Sequence, residues 1–126
     1  ACRIAAGSKE RLQLGNLDID RDWGWAPEYV EAMWRMMQQP AASDFVIATG
    51  QTRSLTDFVS AAFSAVGLDW KDHVDSNPAL KRPTDLRATH ADTRRAERQL
   101  GWRAQTLMDE VARKMVQATL SNSNQE

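Results

Sequence analysis

The residues in this chain with types and spacing suited to chemistry are Arg21, Asp22, Trp23 and Gly24, followed closely by Trp25 and Pro27. Proline suits the first position of a helix, where its missing N–H costs nothing and its fixed φ already fits. A helix N-terminus carries free N–H groups and partial positive charge, so it favours anions. An arginine just upstream adds a planar fork that matches phosphate oxygens. The two indoles would supply aromatic walls. The chemistry is that of an anion site, best suited to a phosphorylated ligand. A simpler role fits the same residues. An Arg–Asp pair at a helix start is often a cap and a surface ion pair, worth about 0–1 kcal/mol. The residues alone leave both readings open.

The elements that must position this cluster follow from periodicity. Arg11-Leu12-Gln13-Leu14 alternates as a short strand. Pro27 to Gln38 reads as a helix with Val30, Met33, Trp34 and Met37 as its apolar stripe, expected in the core. Asp44 to Gly50 is expected to be the best strand, with a continuous apolar centre that suggests burial on both faces. Ser54-Leu55-Thr56-Asp57 resembles a capping box, and its helix is expected to reach Val66, with Gly67 beyond. Asp69 to Asp75 alternates weakly, as a short strand would. Pro83 is expected to hold Arg82 extended. Asp92 is a suitable N-cap for a helix from Thr93 to Leu100, ended by Gly101. Thr106 to Asp109 reads as the start of a last helix running to Thr119, with Leu107, Val111, Met115 and Ala118 inward and a polar tail after it. The order is α/β, with few short strands and about four helices.

Composition narrows the function. The chain has 126 residues, a net charge of −1 and one cysteine, Cys2. One domain is the default at this length. A near-neutral balance gives no global drive toward nucleic acid or anionic lipid. A lone cysteine excludes an internal disulfide and a multi-thiolate metal site. No apolar run reaches the ~20 residues of a membrane span, and no signal-peptide pattern opens the chain, so a cytoplasmic location is expected. Charge is uneven: residues 81–103 carry +4 and residues 1–80 carry −4. That is either internal complementarity or a positive wall facing an anion. His73 and His90 have no partner spacing for a metal. There is no Gly-rich phosphate loop, and the one tyrosine, Tyr29, has no lysine at helical spacing. No catalytic constellation is complete. With no initiator Met, Ala1 to Ala6 reads as the tail of a helix whose beginning is missing.

Six motifs occur in one order: Leu14-Gly15-Asn16-Leu17-Asp18, Arg21-Asp22-Trp23-Gly24, Glu31-Ala32-Met33-Trp34, Val46-Ile47-Ala48-Thr49-Gly50, Arg82-Pro83-Thr84-Asp85 and Leu100-Gly101-Trp102. Together they resemble the carboxy-terminal part of the GDP-mannose 4,6-dehydratases, which are extended short-chain dehydrogenases/reductases. The resemblance spans about Arg3 to Met115. It implies a small GDP-sugar-binding domain over residues 1–126, without the amino-terminal Rossmann domain that binds NADP and carries the catalytic groups. Whole enzymes convert GDP-mannose to GDP-4-keto-6-deoxymannose, by oxidation at C4, loss of water and hydride return at C6. The resemblance therefore implies a lyase family, no cofactor on this chain, and no activity for the chain alone.

By position, the resemblance makes Arg21 and Arg82 diphosphate contacts, Trp23 an aromatic neighbour and Asp85 an acceptor from ribose hydroxyls. Asp85 stands where the dehydratases usually have Glu, Arg87 where they have Asp, and Ala91 where they have Gly. The expected partners are GDP-mannose or GDP, and a second copy or partner chain on the surface left by the missing domain. Nucleic acid and membrane are not expected. The alternatives are a non-catalytic binding or interaction module, or part of a nucleotide-sugar reductase or epimerase.

Overall fold

The computed structural model describes residues 1–82 and 84–123, the last of these by its backbone alone. Pro83 and residues 124–126 lie outside the described residues, and with them the expectation for Pro83 and most of the expected tail.

Five helices and four short strands form among the described residues. Helix α1 (Cys2–Ala5) precedes β1 (Leu12–Leu14) and β2 (Asp20–Asp22), and α2 (Ala26–Met37) follows. Then come β3 (Thr52–Ser54), α3 (Leu55–Ser64), β4 (Val74–Ser76), α4 (Arg94–Leu100) and α5 (Met108–Ser123). The strands form two separate pairs. β1 runs parallel to β4, with Leu12 opposite Val74. β2 runs antiparallel to β3, with Arg21 opposite Arg53.

Local chemistry explains several boundaries. Ser54 caps α3 by accepting from the Asp57 N–H at 3.0 Å, as the capping pattern required. The helix stops at Ser64, a little short of Val66, and Gly67 follows in the left-handed region at φ +75°. Gly101 ends α4 at φ +60°. Thr93 is the N-cap residue of α4 but contributes no side-chain bond there; the Asp92 carboxylate accepts the Arg94 N–H instead, at 3.0 Å. The stretch expected as a strand from Asp69 divides into a 3-10 turn over Trp70–Asp72 and then β4.

Two small cores hold the domain. Val59, Phe63 and Val74 pack with Ile4, Leu14, Leu55, Leu68 and Trp70. Ala32, Ala96, Leu100, Trp102 and Ala104 form the other, flanked by Tyr29, Met36, Phe45 and Ile47.

Four expectations fail here. The stripe Val30, Met33, Trp34 and Met37 is not core: these residues are 63%, 57%, 63% and 81% exposed, and α2 packs through Ala32 instead. Residues 44–50 form no strand, because no described strand lies alongside them; they run past the Ala32–Trp102 core without a ladder. In α5 the buried face is Met108, Val111, Ala112 and Val116, while Met115 and Ala118 are exposed. Thr106 does not cap that helix. Its hydroxyl donates to Glu28 at 2.5 Å, and the helix runs on past Thr119.

Candidate functional site

The candidate site grows from the β2–β3 ribbon. Three of the four residues Arg21 to Gly24 are spent partly on structure. Asp22 accepts from the backbone N–H groups of Thr49 and Gly50, both at 2.8 Å. This ties the end of β2 to the turn that leads into β3. Trp23 stacks on Phe58 at 4.5 Å between ring centroids and donates its indole N–H to the Arg53 carbonyl at 3.1 Å. It is half-buried against α3 rather than standing free as a wall. Gly24 lies where a Cβ would collide with the Tyr29 hydroxyl.

Arg21 points elsewhere. Its guanidinium donates to the carbonyls of Asp20 at 2.8 Å and Leu86 at 2.7 Å. The Asp20 N–H donates to the Arg87 carbonyl at 2.7 Å, and Asp20 bridges to Ala88 in parallel register. Residues 86–88 are therefore laid along β2. This brings Arg82 and Asp85 to the neighbourhood of Arg21, although more than sixty residues separate them in the chain. The Asp85 N–H donates to the Arg82 carbonyl at 3.2 Å, which closes a turn between the two. Arg82 is exposed and Asp85 half-buried. Among the described residues neither side chain has a hydrogen-bond or ion-pair partner.

The ribbon register adds a residue that the sequence reading missed. Arg53 lies directly opposite Arg21, and a directly opposed pair shares one face. Like charges in that position repel, so the ribbon favours a compensating anion. Asp57 supplies one at 3.2 Å from Arg53. The signal was the pairing of two short strands, and Thr-Arg-Ser is too brief to read as one. His90 adds its Nδ1 at 3.1 Å from the Thr52 hydroxyl. His73 stacks on Phe63 at 5.8 Å, inside a core.

The electrostatics of the surroundings follow from this packing. Burial, with the charge and hydrogen bond of Asp22 added, pushes the Tyr29 hydroxyl up to about 12. Glu28 is held below the usual carboxylate range. Burial acts against this, but bonds from Thr106 and Gln105 and the charge of Lys114 outweigh it. Nothing among the described residues cradles a dinucleotide. The strand-to-helix junction at Ser54–Leu55 has no glycine-rich turn. No described helix is long and apolar enough to cross a membrane.

The fold and the site can now be set against known proteins. RMD from Pseudomonas aeruginosa, solved with NADPH, matches 96% of this chain and 40% of its own with a TM-score of 0.83, at 16% identity. UDP-glucose 4-epimerase from Bifidobacterium longum, solved with NAD+ and UDP, covers 98% of this chain and 38% of its own at a TM-score of 0.80 and 22% identity. The fold is thus shared with part of each of these two proteins. Sequence comparison narrows the class. The chain belongs to the GDP-mannose 4,6 dehydratase family, whose model matches residues 1–115. GDP-mannose 4,6 dehydratase 1 of Arabidopsis thaliana is 38% identical over 98% of this chain and 34% of its own length. The human GDP-mannose 4,6 dehydratase is 38% identical over 92% of this chain and 36% of its own. The chain thus spans about a third of the length of these curated relatives.

Proposed function

We propose that this chain is the GDP-sugar-binding portion of a GDP-mannose 4,6-dehydratase, corresponding to its carboxy-terminal part. The observation that supports the reading is the 2.7 Å bond from Arg21 to the Leu86 carbonyl, which ties the β2 arginine to the segment that carries Asp85 and, one turn earlier, Arg82. Two arginines on different segments then face one anion from two directions. Charge-assisted bonds of this kind contribute roughly 1.5–3 kcal/mol each. Arg21 keeps the Nε side of its fork for a diphosphate while its other edge is anchored. Asp85 accepts from the ribose hydroxyls. Trp23 holds Arg53 and the ribbon in register rather than stacking on a base.

The chain's contribution to the reaction is binding and orientation. With no glycine-rich turn here, NADP and the redox and elimination steps belong to the part of the relatives that this chain does not span. Joined to such a part, the chain would contribute to converting GDP-mannose to GDP-4-keto-6-deoxymannose. Alone it is inactive.

The test is a chimera in which these 126 residues replace the matching third of the Arabidopsis enzyme. Supplied with NADP and GDP-mannose, it should form the 4-keto product, and Arg82→Ala should reduce kcat/KM at least about tenfold. A chimera that binds GDP-mannose but never yields that product would overturn the dehydratase assignment.

A further inference from the structure

The segment that carries Arg82 and Asp85 has little structure of its own. Between Lys81 and Asp92 the described residues form no helix and no strand, only the single bridge at Ala88. Inside that stretch, the one backbone hydrogen bond among the described residues is the turn from Asp85 to Arg82. What fixes the segment is therefore the ribbon beside it. Arg21 ties it at the Leu86 carbonyl and the Asp20 N–H ties it at the Arg87 carbonyl, both at 2.7 Å. A third tie lies further along and comes from β3. The Thr52 hydroxyl donates to the Thr89 carbonyl at 2.7 Å and lies 3.1 Å from the His90 Nδ1.

Proton counting assigns the second of these contacts. A hydroxyl has one proton to donate and two lone pairs. Thr52 gives the proton to Thr89, so a lone pair faces the ring, and the His90 Nδ1 is assigned as the donor. One half-buried side chain thus holds two consecutive residues, one through each role of its hydroxyl. The ribbon also keeps Thr52 away from the anion. Neighbouring strand residues lie on opposite faces. Arg53 opposes Arg21, so Thr52, opposite Asp22, belongs to the other face. Arg21 is both a tie and a candidate ligand contact, whereas Thr52 is a tie alone.

We propose that Thr52 is a positioning residue of the site. Through Thr89 and His90 it holds residues 84–90 on the ribbon, and so keeps Asp85 and the arginine one turn before it within reach of the nucleotide that Arg21 engages. This rests on the reading of Arg21 and Arg82 as diphosphate contacts. A segment ordered in advance binds without a further ordering cost. With the Thr52 ties lost, that cost falls on binding and appears as weaker affinity.

Calorimetry with GDP and amide exchange read by NMR test this on the 126-residue chain. Thr52→Val keeps the shape but loses donor and acceptor, and should weaken GDP binding about tenfold. Thr52→Ser keeps the hydroxyl and should stay within about twofold of the parent. The Asp20 amide, which donates to Arg87, should exchange at least about tenfold faster in Thr52→Val, while the α3 amides of Val59 and Phe63 exchange as in the parent. Combined with Arg82→Ala, Thr52→Val should weaken binding by less than about threefold, because residues that act as one unit are not additive. Three results would overturn the proposal: full additivity with Arg82→Ala, Thr52→Ser as weak as Thr52→Val, or acceleration at Val59 and Phe63 equal to that at Asp20. A parent chain that does not bind GDP would sink the functional reading, and Asp20 exchange would then decide alone. Faster exchange in Thr52→Val but not in Thr52→Ser would keep Thr52 as the residue that holds the segment, and equal exchange in all three proteins would remove it.

Discussion

The Tyr29 hydroxyl lies within the electrostatic reach of the Asp22 carboxylate, which accepts the backbone N–H groups of Thr49 and Gly50. One side chain at the end of β2 therefore joins the first turn of α2 to the turn entering β3. The candidate site's ribbon and helix α2 meet at the same carboxylate.

This contact has a spectroscopic signature, because Tyr29 is the chain's one tyrosine. Its phenolate absorbance should titrate with a midpoint near 12 rather than at the usual value of about 10. The raised value means the folded state keeps its proton longer than the unfolded chain. The stability it contributes is therefore complete below about pH 10 and is lost as pH rises toward 12. Asp22→Asn should bring the midpoint down. A midpoint near 10 in the folded protein would show that the contact does not form.

Gly24 makes room for that tyrosine. Gly24→Ala places a methyl group against the Tyr29 hydroxyl, and overpacking of this kind costs about 1–3 kcal/mol. Thermal unfolding should show the loss, and Gly24→Ala combined with Tyr29→Phe should recover part of it. Recovery argues for the steric cause over a general intolerance of alanine.

Glu28 fixes the other end of the α2 start. Its carboxylate accepts from the N–H groups of Gln105 at 2.9 Å and Thr106 at 3.1 Å and from the Thr106 hydroxyl, while its carbonyl accepts from the Trp102 indole at 3.1 Å. Glu28→Ala should cost about 2 kcal/mol, since it leaves the N–H and hydroxyl of the buried Thr106 unmet. Its folded-state pKa is depressed, so the ionised group's stabilisation is present above the ordinary value of about 4.3 and lost as pH falls through the folded one. Acid unfolding of Glu28→Gln should accordingly be less steep in that window. Identical acid transitions for the two proteins would exclude Glu28 as the titrating group.

Much of the local structure was legible because short-range chemistry decides it. Ser54 capped the helix it was expected to cap, Gly101 ended α4, and Leu12–Leu14 formed a strand. The misreadings share a physical cause. The Val30–Met37 stripe carries the apolar pattern of a buried face, yet no described residue covers it, and the Phe45–Ala48 run packs Phe45 and Ile47 on a core without joining a ladder. Periodicity reports that a face is to be buried, not what buries it. For the candidate site, residue type and family resemblance offered Arg21 and Arg82 as candidates. That Trp23 would be spent on Phe58 and the Arg53 carbonyl depended on β2–β3 register, which no spacing in the sequence encodes.

The GDP half-site is tested most directly by a calorimetric titration of the 126-residue chain with GDP, with UDP as the control. Saturable binding that prefers GDP, and that weakens at least about tenfold in Arg21→Ala and in Arg82→Ala, is the expected result. Equal binding of GDP and UDP, or binding of GDP unchanged by both substitutions, would contradict the assignment of these two arginines to a GDP-sugar diphosphate.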